Sequence, residues 1–316
     1  MTIAGYGLTA NILSYGATIQ DLRLDGHAQS LVLGFPQLDP YLTEGAYMGA
    51  VVGRYANRIG DAKAVIGGRP YRLDANFRDR HLLHGGRDGT GQRNWTIGDS
   101  GAEHVTLTDR LPDGHMGFPG NLEVGTTYRI LPGPLLEVRI TATSDAETLC
   151  NFATHGYWNL GGDDIAGHLF QCIADRWTPV DDDLIPTGRV EPVQGPTDWR
   201  RPVRLGDRLD DGLIDSNLCL SDQRLALRDV AWLSVPGGPS MTVQTTEPGL
   251  QVYAGDHLRP GVPGNDGKPF GRFAGLALEP QIWPDAPNHK GFPDPILRPG
   301  QTYEQITRFR FGAEEG

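Results

Sequence analysis

The chain has 316 residues, a formal net charge of −11 and a pI near 5.2. An acidic protein of this kind repels phosphate backbones and anionic lipid, which argues against nucleic acid and membranes as partners. Hydrophobic residues make up 38% and charged residues 21% of the chain, which excludes a disordered polymer. Glycine (43) and proline (24) are abundant, and this predicts many turns and therefore many short elements.

Strand patterns dominate the chain. Residues 31–35 form a short apolar segment bounded by turn formers, and residues 126–130 are β-branched and aromatic. Residues 136–143 alternate apolar and polar side chains with the two-residue period of a half-buried strand. The linking sequence Leu131-Pro132-Gly133-Pro134 predicts an antiparallel hairpin between the last two segments. Residues 241–245 and 305–311 have further strand patterns.

Helical periodicity is scarce. Only fragments such as residues 40–42 and 205–209 could form a turn or two, because Gly or Pro interrupts every longer window. There is no fixed-period repeat and no flexible linker. Many short strands without helical partners predict an all-β fold, a large antiparallel β-sandwich with few short helices. We expect one domain over residues 1–316.

The cysteines and the N-terminal sequence bear on the compartment. Cys150, Cys172 and Cys219 are odd in number and far apart, with no CxxC pair, so we interpret them as buried thiols in a reducing compartment. Residues 1–10 lack a basic region followed by an apolar stretch, and no run approaches the length of a membrane-spanning helix. We therefore expect a soluble, cytoplasmic protein.

Glu279 is the most informative residue. It follows the apolar run 273–278 and precedes Pro280, which indicates a position at the mouth of a buried strand. Desolvating an unpaired carboxylate there costs several kcal/mol, so such a group needs hydrogen-bond donors or a chemical task.

Two histidines lie in loop-like sequences. His84 precedes Gly85-Gly86, and His155 precedes Gly156-Tyr157-Trp158. Read alone, each histidine is more often a core or loop residue, and the two rings after His155 are more often core residues. Together with a carboxylate base, however, two imidazoles and an aromatic platform suit proton transfer on a neutral sugar.

An Asn-Arg pair, Asn57-Arg58, offers planar donors that suit hydroxyl groups. The alternative is that Arg54 and Arg58 pair with acidic neighbours at the surface. Asp215 read alone is a turn residue.

Familiar metal, nucleophile and nucleotide motifs are missing from the sequence: there is no HExxH, GxSxG, phosphate-binding loop or GxGxxG. His81 and His84 are three residues apart, but the following glycines argue against a helix that would present both to a metal. The acidic triplet 181–183 is typical of a solvated turn. We predict no metal site.

In these segments the chain resembles the aldose 1-epimerase family, the galactose mutarotases. Any one matching piece is weak evidence, whereas many pieces in family order with similar spacings are specific. The pieces are residues 16–19, 33–35, 53–59, 83–86 (Leu83-His84-Gly85-Gly86), 117–120, 155–160 (His155-Gly156-Tyr157-Trp158-Asn159-Leu160), 184–188, 214–215, 248–253 and 278–286 (from Leu278-Glu279-Pro280-Gln281 to Ala286).

The resemblance implies an antiparallel β-sandwich of many strands and an isomerase that interconverts the α and β anomers of free aldoses. It implies no cofactor, because only protons move, and a monosaccharide as the partner of a monomer or homodimer. The implied catalytic residues are Glu279 as base, His155 as acid and His84 as a supporting imidazole. The implied contacts to sugar hydroxyls are Asn57, Arg58, Tyr157, Asp215 and Gln251.

This sequence departs from the family pattern in places. It enters the pattern close to Met1, where family members often carry an extra strand region. Thr154 replaces a common asparagine, Trp158 a common phenylalanine, and Thr90 a usual aromatic after Gly89. We expect the last two changes to reshape the pocket wall and to bear on the preferred aldose.

Two other functions on the same fold stay open. A non-catalytic sugar-binding protein would not need the acid and base that this chain retains. A hexose-6-phosphate epimerase would need a basic cluster for the phosphate, and Arg54 and Arg58 alone are thin support. A glycosidase generally needs a second carboxylate, which the motifs do not supply.

Overall fold

A computed structural model gives the structure of the chain and describes residues 1–43, 45, 47–209, 214–259 and 261–313. Within these ranges it contains twenty-six strands and seven short 3₁₀ helices. No helix in this part of the chain is long and apolar enough to cross a membrane. The 3₁₀ helices are Asp39–Leu42, Gly60–Ala62, Thr90–Gln92, His115–Gly117, Gly195–Thr197, Leu205–Asp207 and Ala286–Asn288.

The strands are mostly short, as the glycine and proline content predicts. In the first half they are β1 Thr2–Gly5, β2 Leu8–Ile12, β3 Ile19–Leu24, β4 Val51–Val52, β5 Arg58–Ile59, β6 Lys63–Ile66, β7 Arg69–Arg72, β8 Leu82–Leu83, β9 Thr96–Ser100, β10 His104–Leu111, β11 Leu122–Leu131, β12 Leu135–Ser144 and β13 Thr148–Leu149. In the second half they are β14 Ala153–Thr154, β15 Tyr157–Trp158, β16 Leu169–Cys172, β17 Arg176–Thr178, β18 Glu191–Pro192, β19 Val203–Arg204, β20 Asp215–Cys219, β21 Arg228–Ser234, β22 Pro239–Thr245, β23 Gly249–Tyr253, β24 Leu276–Gln281, β25 Ile296–Leu297 and β26 Tyr303–Ala313.

Two large antiparallel sheets form the sandwich. One has nine strands in the order β19-β16-β21-β22-β26-β12-β11-β10-β9, and the other has six in the order β15-β24-β23-β20-β17-β18. The three-stranded sheet β1-β2-β3 and four two-stranded pairs complete the described strands. The largest hydrophobic cluster draws side chains from both large sheets, for example Phe309 from the first and Leu278 from the second. The predicted all-β sandwich is confirmed.

The strongest strand predictions are confirmed. The hairpin predicted around residues 131–134 is β11–β12, paired from Leu122↔Ser144 to Leu131↔Leu135. Residues 241–245 lie in β22 and residues 305–311 in β26. The segment 31–35 forms no regular strand, because the Leu31 amide bonds to Leu22 while the Leu33 amide bonds to Tyr157. Its backbone therefore bridges two different sheets.

The six-stranded sheet has one apolar face and one polar face. On the apolar face, Leu276 and Leu278 of β24 join Leu250 and Val252 of β23 in the main core. Because successive side chains of a strand point to opposite faces, Glu279 lies on the other face. The sheet thus uses one face for stability and offers the other for a site.

The position expected for Glu279 was partly wrong. The carboxylate lies inside β24, which continues to Gln281, and not at the strand's end. Pro280 is tolerated because β15 pairs only with Leu276 and Ala277, so on that side the strand has no ladder bond to lose at Pro280.

Candidate active site

The pairing register arranges the polar face in two rows. In one row Asn217 lies opposite Gln251, and Gln251 opposite Glu279. In the next row Asp215 lies opposite Tyr253, Tyr253 opposite Ala277, and Ala277 opposite Tyr157. Side chains in facing positions are direct neighbours, so the sheet places sequence-distant polar groups side by side.

His155 extends the first row. It lies between β14 and β15, and its backbone is fixed by bonds from its amide to the Ala50 carbonyl and from the Gly49 amide to its own carbonyl, each 2.8 Å. Its Nε2 is 3.6 Å from Oε1 of Glu279. The imidazole ring centre is 5.1 Å from that of Tyr157. The predicted acid and base are therefore brought together.

His84 follows β8 directly, and its backbone has φ = +49°. Asn57, with φ = +66°, holds it reciprocally: the His84 amide donates to the Asn57 carbonyl, and the Asn57 amide donates to Nδ1 of His84, both at 3.1 Å. Since Nδ1 accepts, the neutral ring carries its proton on Nε2. One ligand atom from each of His84, His155 and Glu279 lies within 4.8 Å of the others.

Four of the five predicted hydroxyl-binding residues form one connected polar group next to the acid–base pair. Nη2 of Arg58 is 3.5 Å from Oδ2 of Asp215, and Nε2 of Gln251 donates to Oδ1 of the same carboxylate. The Arg58 amide donates to Oδ1 of Asn57 at 2.9 Å, and its guanidinium lies 4.9 Å from the centre of the Phe77 ring. These four polar residues line one small pocket, and Glu279, His155, His84 and Tyr157 are not among its lining residues. The pocket is joined to the acid–base pair through Gln251, which lies opposite Glu279.

Two atoms of the site have no partner of their own. Oε2 of Glu279 and Nδ1 of His155 are buried without a hydrogen bond to any described residue. Buried polar atoms are nearly always satisfied in folded proteins, so exceptions call for an explanation. A hydroxylated ligand that donates to the carboxylate supplies one.

Burial controls the protonation of the site. Burial raises the pKa of Glu279 to about 8, with a further rise from the charge of Asp215 and a partial offset by Arg58. Burial also lowers the pKa of His155 to about 4 and the pKa of His84 well below its usual value. The lowered pKa of His155 leaves its imidazole neutral near pH 7 in the sugar-free site. There, desolvation disfavours both charges, and the proton lies on Glu279.

Together the carboxyl of Glu279 and the imidazole of His155 hold one proton between pH values of about 4 and about 8. Such a pair can take a proton from one ligand atom and give one to another, which is general acid–base chemistry. Two imidazoles and a carboxylate can also bind a metal ion.

Several other sequence interpretations are now decided. Arg54 is neither a surface ion pair nor a site residue: it is buried and donates to the carbonyls of Pro119 (3.0 Å) and Gly120 (2.9 Å). His81 accepts from the Asp61 amide at 3.0 Å through Nδ1, and its Nε2 faces Asp183 at 3.4 Å. It therefore forms no pair of ligands with His84.

The departures at positions 90 and 158 do not line the pocket as expected. Trp158 points to the apolar face, where its ring centre is 4.4 Å from that of Phe309. The Thr90 hydroxyl donates to the Val51 carbonyl at 2.8 Å, and its own carbonyl accepts from the Trp95 indole at 2.9 Å. Both residues hold the scaffold.

Sequence reasoning missed Tyr253. It lies two residues after Gln251 in the same strand and therefore shares the polar face. The two-residue period starting from Gln251 was the available signal. It also missed Tyr47, whose ring centre lies 4.8 Å from that of His84.

Comparison with known proteins agrees with this geometry. The sequence model of the family described as aldose 1-epimerase matches residues 1–310. The chain belongs to the aldose 1-epimerase family. It is 38% identical to the galactose mutarotases of mouse and human, over 96% of this chain and 91% of each relative. It is 31% identical to the aldose 1-epimerase of Escherichia coli (strain K12), over 98% and 93% of the two chains.

Solved structures of the family have the same architecture. The GalM/aldose epimerase homologue of C. elegans superposes with a TM-score of 0.92 at 32% identity, covering 99% of this chain and 98% of the other. The galactose 1-epimerase of Lactobacillus acidophilus gives a TM-score of 0.86 at 28% identity, covering 99% and 93%. Family membership makes the protein an isomerase of the epimerase class.

Proposed function

We propose that this protein is a mutarotase that interconverts the α and β anomers of free aldoses such as galactose or glucose. The observation that carries the proposal is the buried Glu279–His155 pair, 3.6 Å apart, in which each residue keeps one atom without a partner among the described residues. Relatives over almost the whole chain are named galactose mutarotases, so galactose is the first substrate to test.

The reaction uses the pair as base and acid. The Glu279 carboxylate takes the proton of the anomeric hydroxyl on C1, and protonated His155 delivers a proton to the ring oxygen O5. The C1–O5 bond breaks to give the open aldehyde, and rotation about C1–C2 presents the other carbonyl face. The same two groups then run in reverse to close the ring. Each positioned group typically contributes about 10²- to 10⁴-fold.

The bound sugar sets the protonation state that this step needs. The reactive form, with ionised Glu279 and protonated His155, holds the same number of protons as the sugar-free site. Only the proton's position differs. Sugar hydroxyls that donate to Glu279 favour the ionised carboxylate, because hydrogen bonds to a charged form stabilise it.

The remaining residues hold the substrate. Neutral His84 donates from Nε2, and its contact with Asn57 fixes the ring's orientation. Arg58 offers a planar donor, while Asp215 accepts from hydroxyl groups, and the contact between them orients both. Tyr157 gives the aromatic surface on which the C–H face of the sugar packs.

Further parts of the proposal concern the whole protein. We expect the single domain over residues 1–316, a monomer or homodimer in the cytoplasm, and no cofactor, nucleic acid or membrane partner.

The hexose-6-phosphate alternative has lost its support. Arg54 is buried against backbone carbonyls, and Arg58 is already placed against Asp215. A phosphate dianion entering here would meet the acidic group and no free pair of arginines.

Polarimetry tests the proposal directly. Freshly dissolved α-galactose and α-glucose relax slowly to their anomeric equilibrium, and purified protein at nanomolar to micromolar concentration should accelerate this relaxation. The rate should rise in proportion to enzyme concentration, and glucose 6-phosphate should be the poorer substrate. Relaxation at the spontaneous rate for every aldose tried would overturn the proposed function.

A further inference from the structure

A second polar cluster lies beside the acid–base pair. The hydroxyl of Tyr253 donates to Oδ1 of Asp256 at 2.5 Å and contacts Nδ1 of His257. The His257 amide donates back to the same hydroxyl at 3.2 Å. The rings of Tyr253 and His257 stack with centres 5.3 Å apart and planes 16° from parallel. The three side chains therefore hold one another in place.

The cluster lies about one sugar ring from the reacting atoms. Tyr253 is in the row next to Gln251 and Glu279, and positions two apart along a strand are separated by about 7 Å. Its ring centre is 6.2 Å from that of Tyr157, which in turn is 5.1 Å from that of His155. A continuous wall thus runs from the acid to the cluster.

The two tyrosine rings are in edge-to-face contact, 71° from parallel. The residue between Tyr157 and Tyr253 in their row is Ala277, whose side chain is a single methyl group. A pyranose with C1 at Glu279 and O5 at His155 has C5 next to O5. This placement directs the substituent on C5 along the tyrosine wall, towards Tyr253. The C2–C3 edge turns towards Arg58 and Asp215.

We propose that the cluster of Tyr253, Asp256 and His257 is a specificity-determining wall of the sugar site, and that it binds the C6 hydroxyl of a hexose. This inference rests on the proposed mutarotase function and adds to it the position that distinguishes one aldose from another. It assigns a role to three residues outside the acid–base pair.

The chemistry of the cluster fits a hydroxyl donor. Since Tyr253 donates to Asp256, the contact with Nδ1 of His257 needs the proton on that nitrogen, which leaves Nε2 as an acceptor. Burial lowers the pKa of His257, so the ring is neutral near pH 7. A carboxylate and a neutral imidazole accept hydrogen bonds from a hydroxymethyl group, whereas they offer a phosphate no positive charge.

The test compares two sugars that differ only at C6. D-Galactose carries the hydroxyl, and D-fucose, its 6-deoxy form, lacks it. We expect His257→Phe, which keeps a flat ring, and Asp256→Asn to lower kcat/KM for galactose by about 5- to 30-fold. The same variants should change kcat/KM for fucose less than about 2-fold.

A third test variant and one control accompany these variants. Tyr253→Phe keeps the ring but removes the hydroxyl, and it should give the same pattern. His104→Phe replaces a histidine that faces Asp99 on the other large sheet, and it should alter neither sugar. Thermal unfolding of each variant checks that the fold is kept, and the two loop variants carry the test if Tyr253→Phe does not fold.

Each outcome has a distinct meaning. An unchanged galactose-to-fucose ratio in active variants overturns the inference and leaves the mutarotase function intact. Equal losses for both sugars also overturn it, since they indicate a purely structural role for the cluster. A wild-type protein that accelerates neither sugar removes the proposed function, and the inference fails with it.

Discussion

Glu247, in the link between β22 and β23, and Glu279, in β24, are two buried carboxyl groups, with relative exposures of 0% and 2%. Glu247 lies just before β23, and its Oε1 accepts from Nε of Arg224 at 2.6 Å. The Arg224 guanidinium lies 4.3 Å from the centre of the Tyr303 ring. Glu279, in β24, has a histidine at 3.6 Å and an aspartate that raises its pKa.

The difference between the two lies in charge compensation. Each carboxyl has one buried oxygen without a hydrogen-bond partner among the described residues, but the other oxygen of Glu247 accepts from Arg224, whereas the nearest donor to Oε1 of Glu279 is His155 at 3.6 Å. Arg224 supplies a full opposite charge to Glu247, which makes that group architectural. Glu279 has no such partner in the described site beyond the distant influence of Arg58, and a strongly perturbed carboxyl in a cleft is typical of a functional group.

The largest effect that we expect is the loss of activity in Glu279→Gln. The amide keeps the shape but cannot take a proton, so we expect kcat/KM for galactose to fall by about 10³-fold or more while KM changes little. Polarimetry gives both constants. Glu304→Gln, an exposed carboxyl of the nine-stranded sheet, is the matched control and should keep full activity. Retained activity in Glu279→Gln would contradict the proposed base.

The same two carboxyls should affect stability in opposite directions. Glu247→Gln removes one partner of a buried ion pair and should lower the free energy of unfolding by about 3 kcal/mol. Glu279 has a folded pKa of about 8, above its unfolded value, so its contribution favours folding at low pH and is lost as pH rises towards 8. Glu279→Gln should therefore raise the free energy of unfolding by about 2–4 kcal/mol at pH 8 and by little near pH 4.5.

Urea unfolding at pH 5 and pH 8 measures these effects. The prediction for Glu279 is that wild type and variant differ more at pH 8 than at pH 5. A variant that is less stable than wild type at both pH values would show that Glu279 is held as firmly as Glu247.

The pH dependence of activity tests whether Glu279 and His155 share one proton. Glu279 and His155 together hold one proton between their pKa values of about 4 and about 8. We expect kcat/KM to be flat from pH 5 to 7 and to fall by about tenfold per unit above pH 8, as that proton is lost. Rates are measured after subtraction of the spontaneous reaction. A maximum at pH 9 or higher would be inconsistent with the pair.

The smallest effects that we expect are those of Arg58→Lys on KM and of Arg54→Lys on stability. Arg58→Lys should raise KM for galactose by about 5- to 10-fold, because lysine cannot reproduce the planar donor. Arg54→Lys should leave KM unchanged and lower the free energy of unfolding by about 2 kcal/mol, since several carbonyls lose a donor. Equal KM changes in both variants would mean that the two regions are coupled.

How far the sequence predicts this protein depends on the range of the interactions involved. The alternation over residues 136–143 is a local property, and it predicted β12 correctly. The site residues came from ordered motifs, but their arrangement depends on which strands pair. Pro280 indicated the end of a strand and was misleading, because the missing neighbour on one side is a long-range property.

The sequence also did not predict which face of the sheet each side chain occupies. Trp158 and Tyr157 are adjacent, and only the sandwich decides that one ring enters the core and the other the site. Arg54 and Arg58 also look alike in sequence. Arg54 donates to carbonyls of the loop between β10 and β11, whereas Arg58 pairs with Asp215. Burial and partners that lie far along the chain cannot be derived from local composition.

The long reach of the contact between Arg58 and Asp215, 157 positions along the polypeptide, has a consequence for how the protein matures. Neither terminal half carries a complete set of reacting groups, so we expect no turnover from a chain that ends before Glu279. Folds rich in such long-range contacts form slowly. We therefore expect turnover to return last during dilution from denaturant, which makes it a sensitive gauge of complete refolding.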